Sequence, residues 1–446
     1  MDFPYFEFPL VGNRYLIAFI ATLHVLVNHS AAIGGSLLVV LAEREAIRLG
    51  SSDWDDLAYR LARLFFLLTT TVGALSGVGI WFSVMVAAPA GIAAMLHIFF
   101  WAWFVEWFVF IAEVAMVLGY FLSWRTFSDR RRHLQLGWAY VLTSFLTLAI
   151  ITGILGAMLT PGAWLSERAF WGAFFNPSYG PQLVFRTGLA LALAGCLGLL
   201  LMRWVAPPSL LVPFQRLCGR FLLAAVPLMG LGGCWYLMVL PDRMRALLPT
   251  ALMTTRFADW SALAGVLHAL VCLALFGLGL ACLRLGRAAP RAVVWLTGFA
   301  LVMLLGHFER AREFVRKPFL IPGYMYANGI RVADVPRLNR EGLLTHTRWT
   351  GIKRPEPGQE RAAGQALFRL QCASCHTVAG PNGLAVRLSG QSPQGIHAFL
   401  GVQHQVHPFM PPFVGTEAEK HALAGYLSSL RQSPERDARV PGRTLP

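Results

Sequence analysis

Eight stretches of this chain each approach or exceed the roughly twenty apolar residues that a helix needs to cross a bilayer, and this leaves few folds open. They run over 15–41, 61–87, 92–124, 134–159, 183–206, 221–240, 260–283 and 292–307. In hydrocarbon every backbone amide needs an internal partner, and long continuous apolar runs satisfy that need as helices. With 56% hydrophobic and only 14% charged residues, the chain reads as an integral membrane protein rather than a soluble globular one. The expected fold is all-α, with a polytopic bundle of the first 308 residues.

Arginine placement tests the span count independently, because loops on the cytoplasmic side are rich in basic residues. Alternate connections carry Arg44, Arg48 and Arg60; then Arg125, Arg130, Arg131 and Arg132; then Arg203, Arg216 and Arg220; then Arg284, Arg287 and Arg291. The intervening connections hold few, chiefly Arg168, Arg243, Arg245 and Arg256. An even number of spans then puts both termini outside, in the periplasm of a bacterial plasma (inner) membrane. The net charge of +15 is spread over loops, so it reflects topology and excludes a nucleic-acid partner. The start Met1-Asp2-Phe3-Pro4 has no basic region, and the first span is expected to target the chain. Cys196, Cys218, Cys234, Cys272 and Cys282 fall within or at the ends of spans and read as small buried residues.

Beyond the apolar stretches, 309–350 turns polar and contains Pro318, Pro322 and Pro336, which suits a periplasmic tether. The last segment, 351–446, holds a single C-x-x-C-H run at Cys372, Cys375 and His376, the attachment sequence of a c-type haem. Two thiols about one turn apart can close thioethers on one side of a porphyrin while the adjacent imidazole reaches the iron. A redox dithiol or half a zinc site is the rival reading; a zinc ribbon would need a second cysteine pair, and none follows. Gly364 to Phe368 reads as the helix that delivers the motif, and Gly380 and Pro381 as the loop beneath the proximal histidine. His407 to Pro412 is a stiff stretch that refuses helix. Met410 is the favoured sixth ligand and would raise the reduction potential. His404 and His407 are its competitors, and either reads equally as a solvated histidine. Glu417 to Leu430 reads as a closing amphipathic helix. These pieces resemble a small single-haem cytochrome c of the His/Met type. Haem attachment belongs to the oxidising outer side, in agreement with the arginine pattern.

Ionisable residues inside spans are costly and are functional candidates by default. His24 and His29 fall on the first span, His97, Glu106 and Glu113 on the third, Arg186 near the outer end of the fifth, His268 on the seventh and His307 at the outer end of the eighth. His24, His97, His268 and His307 share the outer third to half of the bilayer. Imidazoles from several helices at one depth suit one or more b-type haems, with Arg186 available to a propionate. For His97 and His29 an interhelical hydrogen bond or an interfacial position is an equal reading. Glu106 and Glu113, seven apart on one helix face, suit a proton path or an iron ligand, against the alternative of neutral structural acids.

Residues 10–325 resemble the first subunit of cytochrome bd-type oxidases. The resemblance rests on His24 with the small-residue run ending in Gly34 and Gly35, on Glu106, Glu113 and Trp124, on Asn176, Pro177 and Gln182, and on Glu313, Arg316, Lys317 and Pro318. It implies that His24 is a haem ligand and that Glu106 and Glu113 correspond to the family's paired acidic residues. Two departures stand out. Arg186 occupies the place of the family's fifth-helix histidine, and the long quinol-binding loop is reduced to 241–259. The expected function is therefore a haem-dependent oxidoreductase of a respiratory chain, a cytochrome c-linked terminal reductase acting on oxygen. A quinol dehydrogenase that feeds a periplasmic carrier through haem b and haem c is a second reading. A membrane anchor and relay subunit of a larger redox complex is a third. Expected partners are a periplasmic electron carrier or redox enzyme, membrane lipid, and a second membrane subunit or another copy of the chain.

Overall fold

The computed structural model describes residues 6–253 and 261–430; Arg256 and the start of the seventh apolar stretch lie outside them. Among the described residues, eight helices are long and apolar enough to cross a membrane. They are Asn13–Leu49, Ser52–Ala87, Phe100–Leu122, Arg130–Ala157, Tyr179–Val205, Pro208–Val239, Gly265–Arg284 and Arg291–Val315. The fold is an all-α membrane bundle followed by a small helical domain.

Two boundaries depart from expectation. Pro89 opens a separate helix, Pro89–Ile98, and the chain breaks at Phe99 (φ −113°, ψ 27°) before the third span begins. His97, expected on that span, instead ends the preceding short helix and is exposed. The eighth span runs to Val315, seven residues into the segment read as tether. Charges at Glu309 and Arg312 do not stop it because they pair with each other, at 2.8 Å.

Packing divides the described chain into two compact units: residues 21–79 with 98–315, and residues up to 20 with 80–97 and 316 onward. The first is a helix bundle. Its core is built from Leu38, Leu57, Leu61, Phe65, Phe214 and Leu222, all buried. The first and fifth spans meet through glycine: a Cβ on Gly34 would strike the Ala190 carbonyl and lie 2.7 Å from the Ala194 methyl. Close backbone approach of this kind replaces the missing hydrophobic drive between helices in lipid. Each of the first two spans also contains a π-helical turn, Asn28–Ile33 and Thr69–Gly73. Carbonyls near these turns receive hydroxyls: Ser30 donates to Leu26 at 2.7 Å, Thr69 to Phe65 at 2.8 Å and Thr70 to Phe66 at 2.6 Å. Far along the first span, Glu43 is fully buried yet satisfied, by Tyr120 Oη at 2.6 Å, His133 Nδ1 at 2.6 Å and Arg130 at 3.0 Å. Every oxygen there has a partner, which fits a structural clamp.

In the second unit, helices Glu360–Gln371 and Glu417–Ser429 cross where Gly364 lies, since any side chain at that position would collide with the Ala422 carbonyl. Leu343, Leu344, Leu367, Phe368, Leu423 and Leu427 close the core around that crossing. Glu419, 1% exposed, forms a capping box with Thr416 and accepts the amides of Leu343 at 2.9 Å and Leu344 at 2.8 Å. One carboxylate thus starts the last helix and holds the preceding segment against it. Replacing Glu419 with Ala strands buried amides and should lower stability by ~2–3 kcal/mol. Chemical denaturation of the full-length protein in detergent, followed through the absorbance of the attached haem, measures the loss.

Candidate electron-transfer sites

In the second unit, Cys372 follows directly on the helix Glu360–Gln371, and the amides of Cys375 and His376 both donate to the Cys372 carbonyl, at 3.0 and 2.9 Å. This single tight turn presents both thiols and the imidazole from adjacent positions. His376 Nδ1 donates to the Asn382 carbonyl at 3.1 Å, which places the lone pair on Nε2, the atom that would meet an iron. Burial pushes the imidazole down to about 4, against the opposing effect of the Asn382 bond, so it is neutral and able to ligate over the physiological range. Burial, with Cys375 adding to it, pushes the Cys372 thiol up to about 12, which argues against a reactive dithiol. The donor set and its orientation fit a covalent haem.

The Met410 loop is tied to this motif from two directions. Gln371, the residue before Cys372, pairs its amide with both backbone groups of Val414, at 2.8 and 2.9 Å. From helix Pro393–Val406, Gln403 donates to the Pro411 carbonyl at 2.7 Å and His404 Nδ1 to the Met410 carbonyl at 2.7 Å. His404 therefore holds the backbone of Met410, the residue it was expected to rival as a ligand. The His407 ring lies between Phe399 and Phe409, with centroids 5.9 and 5.3 Å away.

In the helix bundle, His24 is gripped by the second span. Its Nδ1 lies 3.1 Å from the Gly73 carbonyl and 3.1 Å from the Ser76 hydroxyl. The Ser76 proton is directed to the Val72 carbonyl at 2.6 Å, so both neighbours accept and Nδ1 carries the hydrogen. The Asn28 side-chain amide nitrogen lies against the same ring, 3.0 Å from Nδ1 and 2.9 Å from Nε2, and Nε2 makes no bond to the second span. A Cβ on Gly77 would come within 3.0 Å of the His24 ring, so glycine there makes room for it. An oriented imidazole whose outward nitrogen meets one displaceable amide fits a b-type haem ligand.

The other candidates fall into separate groups. His268 and His307 face each other from the seventh and eighth spans, ring centroids 5.2 Å apart. Glu113 accepts hydroxyls from Ser144 at 2.7 Å and Thr147 at 2.8 Å and couples electrostatically to Glu106. Arg186, 4% exposed, pairs with Glu309 at 2.9 Å, and Arg312 shares the same carboxylate. His97 belongs to the other compact unit. Sequence reasoning missed Glu309 and Arg312, which sit beyond the eighth apolar stretch, 292–307, and carried no hydropathy signal. It also missed Asn28 and Ser76, small polar residues of a kind common in any span.

Residues 359–427 match the family model described as cytochrome c oxidase, cbb3-type, subunit III. The fold is similar to the solved structure of the bd oxidase from Geobacillus thermodenitrificans, with a TM-score of 0.58 and 15% identity over 70% of this chain and 88% of that chain. No curated protein sequence matches the chain. The C-terminal domain is thus of cytochrome c type and carries haem c, and the membrane part has a bd oxidase fold. Together they define a membrane-embedded redox protein that transfers electrons.

Met410→Ala should leave the haem covalently attached, abolish the thioether-to-iron charge-transfer absorbance and lower the midpoint potential of the c haem. His404→Ala should retain that absorbance. The opposite pattern in the two spectra would reassign the sixth ligand.

Proposed function

We propose that the protein is a bd-like, cytochrome c-linked terminal reductase of a bacterial plasma membrane, with oxygen as its acceptor. The observation that carries this reading is the anchoring of His24, whose Nε2 is turned toward a single amide inside a bundle of bd oxidase fold. Haem supplies a one-electron couple and, where a coordination position is open, a place for a small acceptor. His24 holds haem b; Cys372, Cys375, His376 and Met410 hold haem c. Arg186 provides a cation for a propionate.

Reducing oxygen consumes protons, and the Glu106 and Glu113 pair is suited to hold them. Glu113 is steadied by two hydroxyls that accept or donate as its protonation changes. The domain at 351–446 takes electrons from a periplasmic donor and replaces the quinol loop as the point of entry. A second membrane subunit or another copy of the chain covers the apolar surface of the third span, where Phe104, Trp107, Phe108 and Ile111 are exposed.

A quinol dehydrogenase is the second reading, favoured by one feature. The His268 and His307 pair lies on spans that also carry exposed apolar side chains, among them Leu270, Leu273 and Phe299. A quinol arriving from the bilayer would meet imidazoles there.

A reduced-minus-oxidised spectrum of the purified protein, recorded with and without carbon monoxide, separates the two. The terminal reductase is expected to show a high-spin b haem that shifts with the gas, and oxygen consumption with a reduced periplasmic cytochrome. A spectrum indifferent to carbon monoxide would overturn it in favour of the dehydrogenase. His24→Ala should remove b-type absorbance from its site while the c band stays intact.

A further inference from the structure

We propose that the start of the chain is part of the haem c site: residues 6–13 fold over the proximal loop, and Arg14 raises the reduction potential of the haem. The inference goes beyond the proposed function, since it holds whichever way electrons run through the chain. It needs only the haem c of the C-terminal domain.

Asn13 shapes the segment. Its side chain, 3% exposed, accepts the Phe8 amide at 3.0 Å and donates to the Phe6 carbonyl at 2.9 Å, so residues 6–13 curl into a closed loop. The Gly12 amide adds a bond to the Phe8 carbonyl at 2.7 Å, and Gly12 turns at φ 82°, a conformation that a side chain would resist. A buried side-chain amide satisfied by the backbone of its own loop fixes the shape of that loop.

Three contacts lay this loop against the stretch around the haem motif, all within one compact unit. A Cβ on Gly380 would lie 2.5 Å from the Pro9 carbonyl oxygen, and one on Gly12 would lie 3.3 Å from the Thr377 methyl. The Glu7 carboxylate is 3.7 Å from Arg369, on the last turn of the helix that delivers Cys372. Thr377 is buried, and its hydroxyl donates to the Pro381 carbonyl at 2.9 Å. The next carbonyl, that of Asn382, is the one that orients His376. Holding Thr377 and Gly380 therefore steadies the turn that sets the proximal imidazole.

Charge follows the same route. Arg14, the residue after Asn13, and Arg387 both act electrostatically on His376, and both oppose a further positive charge there. Iron held at Nε2 would stand in the same field. Ferric haem carries one more positive charge than ferrous haem, so a nearby guanidinium favours the reduced state and raises the potential. Arg387 belongs to the C-terminal domain itself, on Leu384–Arg387, whereas Arg14 comes from the other end of the chain. A cytochrome c domain without the N-terminal segment would keep the first charge and lose the second.

Redox titration of the c band in the purified full-length protein is the test. Arg14→Gln is expected to lower the midpoint potential of the c haem, and Arg14→Lys, which keeps the charge, to stay near the wild-type value. Gly380→Ala pushes against the Pro9 carbonyl and should displace the segment, lowering the potential in the same direction. Combined with Arg14→Gln it should add less than its own separate shift, because both changes remove one effect. The thioether-to-iron absorbance should persist in every variant, since Met410 is untouched. A wild-type potential in Arg14→Gln, an equal drop in Arg14→Lys, fully additive shifts in the double variant, or loss of that absorbance would each overturn the assignment.

Discussion

A guanidinium inside hydrocarbon is tolerated only if an opposite charge reaches it before water does, and much of the helix bundle is arranged around one such case. Arg186 comes from the fifth span and finds Glu309 on the eighth at 2.9 Å, with Arg312 on the far oxygen at 2.8 Å. Removing Glu309 would leave two guanidinium charges uncompensated, a penalty of several kcal/mol in general. The pairing brings those two spans together in register and lets the eighth continue as helix through its charged end to Val315. It also leaves the Arg186 Nε unpartnered next to a buried imidazole. The same interaction that stabilises the packing thereby gathers a cluster of polar groups in an otherwise apolar interior.

The π-helical turns at Asn28–Ile33 and Thr69–Gly73 act on a smaller scale. A π turn inserts a residue and loosens the carbonyl ladder, and hydroxyls of Ser30, Thr69 and Thr70 take up neighbouring carbonyls. The Gly73 carbonyl, at the end of one such turn, is turned to His24. Glycine contributes by absence: Gly77 leaves space for the His24 ring, and Gly34 lets the fifth span approach to backbone contact. Polar function in this bundle is thus built from backbone irregularity and small residues, with few charged side chains.

The domain that carries the Cys372 motif follows a different logic, that of a small water-facing core. Two helices cross at Gly364, and two buried polar side chains join distant segments to that crossing. Glu419 holds the Leu343 and Leu344 amides, and Gln371 holds Val414. Through Gln371 the proximal motif and the Met410 loop share one support, which limits how far the two axial candidates can drift apart.

Apolar run lengths and arginine spacing were enough to specify an all-α membrane bundle of about eight spans, because burying a backbone in lipid leaves almost no alternative to helix. The Cys372, Cys375 and His376 run was equally legible, since attachment chemistry demands those residues at that spacing. Hydropathy did not reveal the break at Phe99 that removes His97 from the third span, because an apolar window reads the same on both sides of a break. Nor did it distinguish His24 from His29, two histidines in one apolar segment. Which ring is held by Gly73 and Ser76, and which is buried unpartnered near Arg186, depends on residues far away in the chain. Those contacts exist only after the second, fifth and eighth spans have packed, so tertiary structure alone decided them.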